Sequence, residues 1–170
     1  MSNAPSSPLN PTIDERAFRT ALSQFATGVT IITTQDEQGR FFGMTATSFN
    51  SVSLNPPLVL WSLGNTARSM PLFSATSRYV INVLAADQVA LAERFASRIE
   101  DRFAGVEYDL SSSGLPLLRG CIAWFTCHNR SRYPEGDHVI FVGEVEHCAV
   151  HPKPPLVFHG GGFAQTVPVS

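Results

Sequence analysis

Charge is scarce in this chain. Only 15% of its 170 residues are Asp, Glu, Lys or Arg, against 44% that are hydrophobic. The 12 basic and 14 acidic side chains leave a net charge of −2 and gather into no basic stripe, which argues against nucleic acid or an anionic membrane surface as a partner. Cysteine is scarce too. Cys121, Cys127 and Cys148 are odd in number and form no C-x-x-C pair. A disulfide framework is therefore not expected, and the three read as reduced, buried, small hydrophobes of a cytoplasmic protein. No apolar run approaches the length of a membrane span. The first eleven residues, MSNAPSSPLNP, have neither a positive n-region nor an apolar h-region. They read as a disordered tail before a single domain over 12–170, and not as a secretion signal.

Several chemical signatures are missing. There is no Gly-Lys-Ser/Thr run of a P-loop, no G-x-G-x-x-G of a dinucleotide fold and no G-x-S-x-G nucleophile elbow. His159-Gly160-Gly161-Gly162 has the look of a lipase oxyanion run, but without the elbow it reads as a glycine-rich turn. Cys127-His128 and His147-Cys148 fall on strands expected to pair, and four soft ligands could hold zinc. Neighbouring residues on a strand point to opposite faces, however, so each pair offers one ligand per face, and packing is the preferred reading. Glu144 and Glu146 alternate along a strand as solvent-facing residues do. Glu100-Asp101-Arg102 reads as a solvated helix end.

What is present is a pattern of short strands. Thr12-Ile13-Asp14-Glu15 fits a capping box with Thr12 as N-cap, opening a helix to about Ala26 that Gly28 would stop. Val29–Thr34 is rich in β-branched residues and predicts a strand. A polar turn at 36–39 returns the chain as a second strand over 40–49, a hairpin. Strands follow at 58–63, 79–84, 120–130, 138–149 and 156–159, with short helices at 66–75, where Pro71 sits early, and after Asp87 as cap. About seven strands in consecutive pairs with three short helices favour an antiparallel barrel with helices outside it. Twelve Phe on so lightly charged a chain suggest apolar surface covered by a second subunit.

Gly43-Met44-Thr45-Ala46-Thr47-Ser48-Phe49-Asn50-Ser51-Val52-Ser53 then stands out, with five hydroxyls beside an apolar barrel. Ser62, Asn65, Thr66, Arg68, Ser69 and Arg102 extend this polar set. With Thr66–Ser69 in a first helical turn, free amides, hydroxyls and an arginine could hold a phosphate, and amides of 45–48 could meet the polar edge of a flat ring. Equally, such hydroxyls commonly satisfy turns and caps, and residues alone leave both readings open.

The run Phe25 to Thr34, the G-M-T-A-T-S-F of 43–49, Ser51 to Leu60, Tyr79 to Leu84, Arg102-Phe103-Ala104-Gly105, Gly136-Asp137-His138 and Pro155 to Gly161 resemble, in order, the short-chain NAD(P)H-dependent flavin reductases that serve two-component monooxygenases. The resemblance spans roughly 14–164. It implies a mostly β, split β-barrel of the FMN-binding, Greek-key type with a few flanking helices, a homodimer with sites near the subunit interface, FMN or FAD as flavin, and NADH or NADPH as hydride donor. It implies cofactor contacts from Thr45, Ala46, Thr47 and Ser48, flavin phosphate and ribityl contacts from Ser62, Asn65 and Ser69, closure by Arg102 and Phe103, and nicotinamide nucleotide contact from His138. Thr47 departs from the Asn common in the family. No catalytic side chain and no metal are implied, because hydride passes between stacked rings. The reduced flavin would go to a separate monooxygenase. A split-barrel oxidase that keeps its flavin, or a flavin carrier without turnover, is the alternative.

Overall fold

Thr30-Ile31-Ile32-Thr33-Thr34 is buried along its length, which a strand achieves only when both of its faces are covered. The computed structural model describes residues 13–169 and places this run in the centre of the molecule. The Thr12 cap and the 1–11 tail lie outside the described residues. Among the described residues there are three helices, α1 (Glu15–Ser23), α2 (Met70–Ala75) and α3 (Val89–Ala96). The strands are β1 (Thr27–Gly28), β2 (Thr30–Gln35), β3 (Phe41–Ala46), β4 (Asn50–Leu54), β5 (Pro57–Gly64), β6 (Arg78–Val83), β7 (Tyr108–Leu110), β8 (Pro116–Leu118), β9 (Ala123–Glu135), β10 (His138–Val150), β11 (Leu156–His159) and β12 (Gly162–Gln165).

The seven expected strands are all present, and five short ones join them. Asp14, rather than Thr12, caps α1, its carboxylate accepting the amides of Arg16 at 3.2 Å and Ala17 at 3.3 Å. The helix ends at Ser23, short of Ala26, because the chain leaves to pair β1 with β11, and Gly28 sits in that strand instead of capping the helix. Gln88, not Asp87, precedes α3, since the Asp87 carboxylate turns toward Lys153 at 3.9 Å. Gly160 and Gly161, at φ of 60° and 83°, form the turn between β11 and β12, so the glycine-rich run is a hairpin connection.

Seven strands form one antiparallel sheet in the order β3-β2-β6-β9-β10-β5-β4. Its two edge strands, β3 and β4, are consecutive in the chain. Ala46 and Asn50 are four residues apart, a reach of at most about 14 Å. A flat sheet of this size would hold its edges about 29 Å apart. The sheet therefore curls until its edges approach without pairing, and that incomplete closure is a split barrel.

Two cores follow from the curl. Inside lie Ile32, Val59, Trp61, Tyr79, Ile81 and Phe141, and Phe73 of α2 plugs one end. Trp61 stacks on Phe141 with centroids 4.6 Å apart. Outside, Val29, Ile31 and Leu84 pack under Ala92 and Phe95 of α3, with Leu118 and Leu156. Ile31 and Ile32 thus serve different cores, as period-two alternation requires.

Candidate functional site at the barrel seam

The hydroxyl-rich stretch is the crossing between the two sheet edges. Ser48 fastens it: its Oγ accepts the Ser62 amide at 2.9 Å and donates to the Ser62 carbonyl at 3.1 Å. Thr45 donates to the Ala92 carbonyl of α3 at 2.6 Å, and the Ala46 carbonyl accepts the Thr30 hydroxyl at 2.8 Å. Several of these hydroxyls therefore hold the seam in shape. Thr47 remains exposed at its crest.

Along the β3 edge runs a groove of about 1650 Å³. Its floor is Phe41 to Thr45, one wall is Thr66 to Ala75, and the other is Phe95 to Phe103. The Gly43 carbonyl turns out from β2 to accept Arg102 Nη1 at 2.7 Å. In an antiparallel pair the groups of one residue and of its i±2 neighbours point the same way, so the Gly43 and Thr45 amides also face this open edge. Gly43 is required by its surroundings: a Cβ there would lie 2.5 Å from the Phe95 ring.

The second wall is built with care. Arg94 of α3 donates to the carbonyls of Arg102 at 2.7 Å and Ala104 at 2.8 Å, and Asp101 accepts the amides of Phe103 and Ala104. Phe103 sits among Phe41, Phe95 and Tyr108. This clamp presents Arg102, whose guanidinium bridges the Gly43 and Ser97 carbonyls, so it is not a solvated helix end. Burial, and then the adjacent charge of Arg68, lowers its pKa from the usual arginine value. No carboxylate pairs with either guanidinium among the described residues. Across the groove, α2 begins only at Met70, so Thr66–Ser69 form a turn before the helix and not its first turn. The Ala67 and Met70 amides are used by that turn, and those of Thr66, Arg68 and Ser69 make no bond among the described residues. Ser69 Oγ reaches Met44 Sδ at 3.6 Å.

The structure thus brings Thr45, Ser69, Arg102 and Phe103 together with Thr66 and Arg68 on one groove. Ala46 is buried behind the floor, while Thr47, Ser48 and Ser62 stand at the seam rather than on the groove lining. Asn65 and His138 lie just beyond the Thr66 end. The Asn65 amide donates to the Asp137 carbonyl at 2.9 Å and its side chain to the Gly136 carbonyl at 3.3 Å. His138 opens β10 opposite Gly64, its Nδ1 2.7 Å from Asp137 Oδ1 and its ring half exposed. Sequence reasoning missed Gly43, Phe42 and Arg40 on the groove. Adjacent Phe41 and Phe42 on an edge strand were the available signal, since one of the two must face outward.

Among the described residues no three His, Cys, Asp or Glu side chains converge on a point that could hold a metal ion. Burial pushes the Cys121 and Cys127 thiols up to about 12, which keeps them protonated and inert. Glu144 and Glu146 are each paired, with Arg130 at 3.2 Å and Arg78 at 2.9 Å.

A curled sheet left open between consecutive edge strands makes this a split-barrel protein, and the polar and cationic groups along the opening could hold a phosphate-bearing ligand. The sequence pattern of the flavin reductase like domain matches residues 22–166, and the chain belongs to that family. It is 41% identical to the FMN reductase (NADH) SmoA of Agrobacterium fabrum, over 89% of this chain and 86% of that one. It is 40% identical to the flavin-dependent monooxygenase reductase subunit HsaB of Rhodococcus jostii, over 92% and 80%. The solved NADH:FAD oxidoreductase SgcE6 of Streptomyces globisporus, in complex with NAD and FAD fragments, superimposes with a TM-score of 0.87 at 36% identity, over 96% of this chain and 98% of that one.

Proposed function

We propose that this chain is an NAD(P)H:flavin oxidoreductase that passes hydride from a nicotinamide to N5 of FMN or FAD and supplies the reduced flavin to a separate monooxygenase. The observation that carries the reading is the open β3 edge facing an unneutralised pair of guanidiniums. A flavin nucleotide needs both: donors for the polar edge of its ring, and cations with free amides for its phosphate. The residues fit those needs, with the Gly43 and Thr45 amides on one side and Arg68, Arg102, Thr66 and Ser69 on the other. The bound flavin supplies the ring that accepts hydride, and the protein supplies alignment.

In this reading Ser48 and Ser62 keep the seam at its width, Ala46 backs the floor, and Thr47 meets the ring from the crest. Phe103 holds Arg102 in place. Asn65 ties the groove wall to the Gly136-Asp137 turn, so His138 presents its imidazole to the nicotinamide nucleotide beside the groove. The active form is a homodimer: α1 has no buried residue, and Phe18, Leu22 and Phe25 leave an apolar stripe that a second copy would cover. No helix among the described residues is long and apolar enough to cross a membrane, and we assign the enzyme to the cytoplasm.

The test is to mix purified protein with NADH or NADPH and either flavin, and to follow the nicotinamide absorbance band. Rapid flavin-dependent loss of the band supports the proposal. Flavin binding with no loss of the band would make the protein a carrier and overturn it.

A further inference from the structure

Methionine is rare in the chain, with 3 in 170 residues, and Met44 lines the groove. Gly43 backs onto Phe95 and Thr45 reaches the Ala92 carbonyl, so both face α3. Met44, between them on β3, therefore points to the other face. There it packs half-buried against the inner core, and its Sδ accepts the Ser69 hydroxyl at 3.6 Å. Ser69 belongs to the turn in which the Thr66, Arg68 and Ser69 amides make no bond among the described residues. Met70 is the internal comparison. It packs against the same core and its Sδ accepts the Ser74 hydroxyl at 3.4 Å, but it does not line the groove.

A thioether sulfur is a weak acceptor, and one hydroxyl leaves it a free lone pair. That pair can be oxidised. Dioxygen that meets reduced flavin before a monooxygenase does takes two electrons and two protons from it, leaving oxidised flavin and hydrogen peroxide. The Met44 sulfur then attacks one peroxide oxygen. The S–O bond forms as the O–O bond breaks, the proton on the transferred oxygen passes to the departing hydroxide, and water leaves. The sulfur is oxidised by two electrons and the peroxide is reduced by two. A flexible apolar side chain has become a polar one. Its new oxygen is a strong acceptor set against Ser69, where it competes with a phosphate for the hydroxyl and the free amide.

Resting on the functional reading above, we propose that Met44 is a peroxide-sensitive modification site, whose sulfoxide draws Ser69 away from the flavin phosphate and lowers flavin affinity when flavin reduction outruns the monooxygenase. The site is a brake on wasteful turnover, and methionine sulfoxide reductases release it.

The test exposes the full chain to dilute hydrogen peroxide, maps the oxygen gained by peptide mass spectrometry, and titrates the treated protein with FMN and FAD by fluorescence quenching. Cys148 is exposed, so each sample is then treated with a thiol reductant, which reverts sulfenate and disulfide and leaves sulfoxide. Met44 is expected to gain one oxygen well before Met70. The flavin Kd is expected to rise about tenfold, the worth of about one hydrogen bond withdrawn from the phosphate. Treatment with both methionine sulfoxide reductases should restore it. Met44→Leu, whatever its own Kd, should show no change on peroxide treatment, while Met70→Leu should respond as wild type does. Met44 should also gain oxygen during turnover of NADH and flavin in air, and none without air. A thermal melt checks that the oxidised protein remains folded. Oxidation of Met70 ahead of Met44, an unchanged Kd after Met44 is oxidised, a Kd rise that persists in Met44→Leu, or a loss of affinity explained by unfolding overturns the inference and leaves the reductase reading intact. Failure of untreated wild type to bind either flavin overturns the reductase reading, and this inference with it.

Discussion

Arg102 serves the fold and the site through the same two hydrogen bonds. Its guanidinium ties the loop after α3 to the β3 edge, and in doing so holds positive charge beside Arg68 on the groove. Arg102→Ala should therefore weaken flavin phosphate binding at least tenfold and also lower unfolding stability by about 1–2 kcal/mol, since two half-buried carbonyls lose a charged donor. Lysine keeps the charge but cannot fork to both carbonyls, so Arg102→Lys should recover part of the affinity and little of the stability. Paired flavin titration and thermal melts separate the two effects. Gly43→Ala should cost about 1–3 kcal/mol, because the added methyl meets Phe95 under the groove floor. His138→Ala should raise the apparent KM for NADH with the flavin Kd unchanged, whereas a fixed KM with lower stability would make His138 a turn residue only.

Among the elements, the long strands were legible in the sequence because β-branched runs and turn residues mark them locally. β2, β6 and β10 fall close to where Val29–Thr34, 79–84 and 138–149 place them, while β9 begins at Ala123 rather than 120 and runs on to Glu135, past the expected end at 130. β4, β7, β8 and β12 were not. They are short, and Asn50-Ser51-Val52-Ser53 carries the polar residues of a loop, its strand character coming from β5 beside it. The turn before α2 was misread as helix because Thr, Arg and Ser fit either, and only Pro71 marks where the helix begins. Likewise the alternation of Glu144 and Glu146 hid that a bulge lies between Val145 and His147, and that Arg78 reaches Glu146 from β6 across β9. The hydrogen bonds from Arg78 hold the Glu146 carboxyl below its usual 4.5. A depressed folded value adds stability that is present above the unfolded pKa and is lost as pH falls through the folded one. Glu146→Gln should thus be less stable than wild type at pH 7, and the gap should close below about pH 4.5. A gap independent of pH, measured by denaturant unfolding across that range, would contradict the ion pair as its source.

At the scale of the whole molecule, the decisive fact is non-local. Which strands become the sheet edges is set by the pairing of β2 with β6 and of β5 with β10, and no local pattern states it. Once β3 and β4 are the edges, the short link between them forces the curl and leaves the seam, so the motif 43–49 lies at the site by topology. Residues 45–48 were recognisable by resemblance, yet most of their hydroxyls turn out to bond the protein itself. The apolar stripe of α1 belongs to this scale too. Phe18→Asp with Leu22→Asp should convert the proposed dimer to a monomer in light scattering, with the barrel's melting little changed because α1 buries none of its residues in the chain, whereas a wild type that is already monomeric would contradict the dimer.

A crystal structure of the protein soaked with flavin tests the central claim most directly. The account predicts the ring along the open β3 edge, its polar side at the Gly43 and Thr45 amides, and its phosphate between Arg68 and Arg102. Flavin bound elsewhere, or a seam closed over by its own side chains with no flavin in it, would contradict the account.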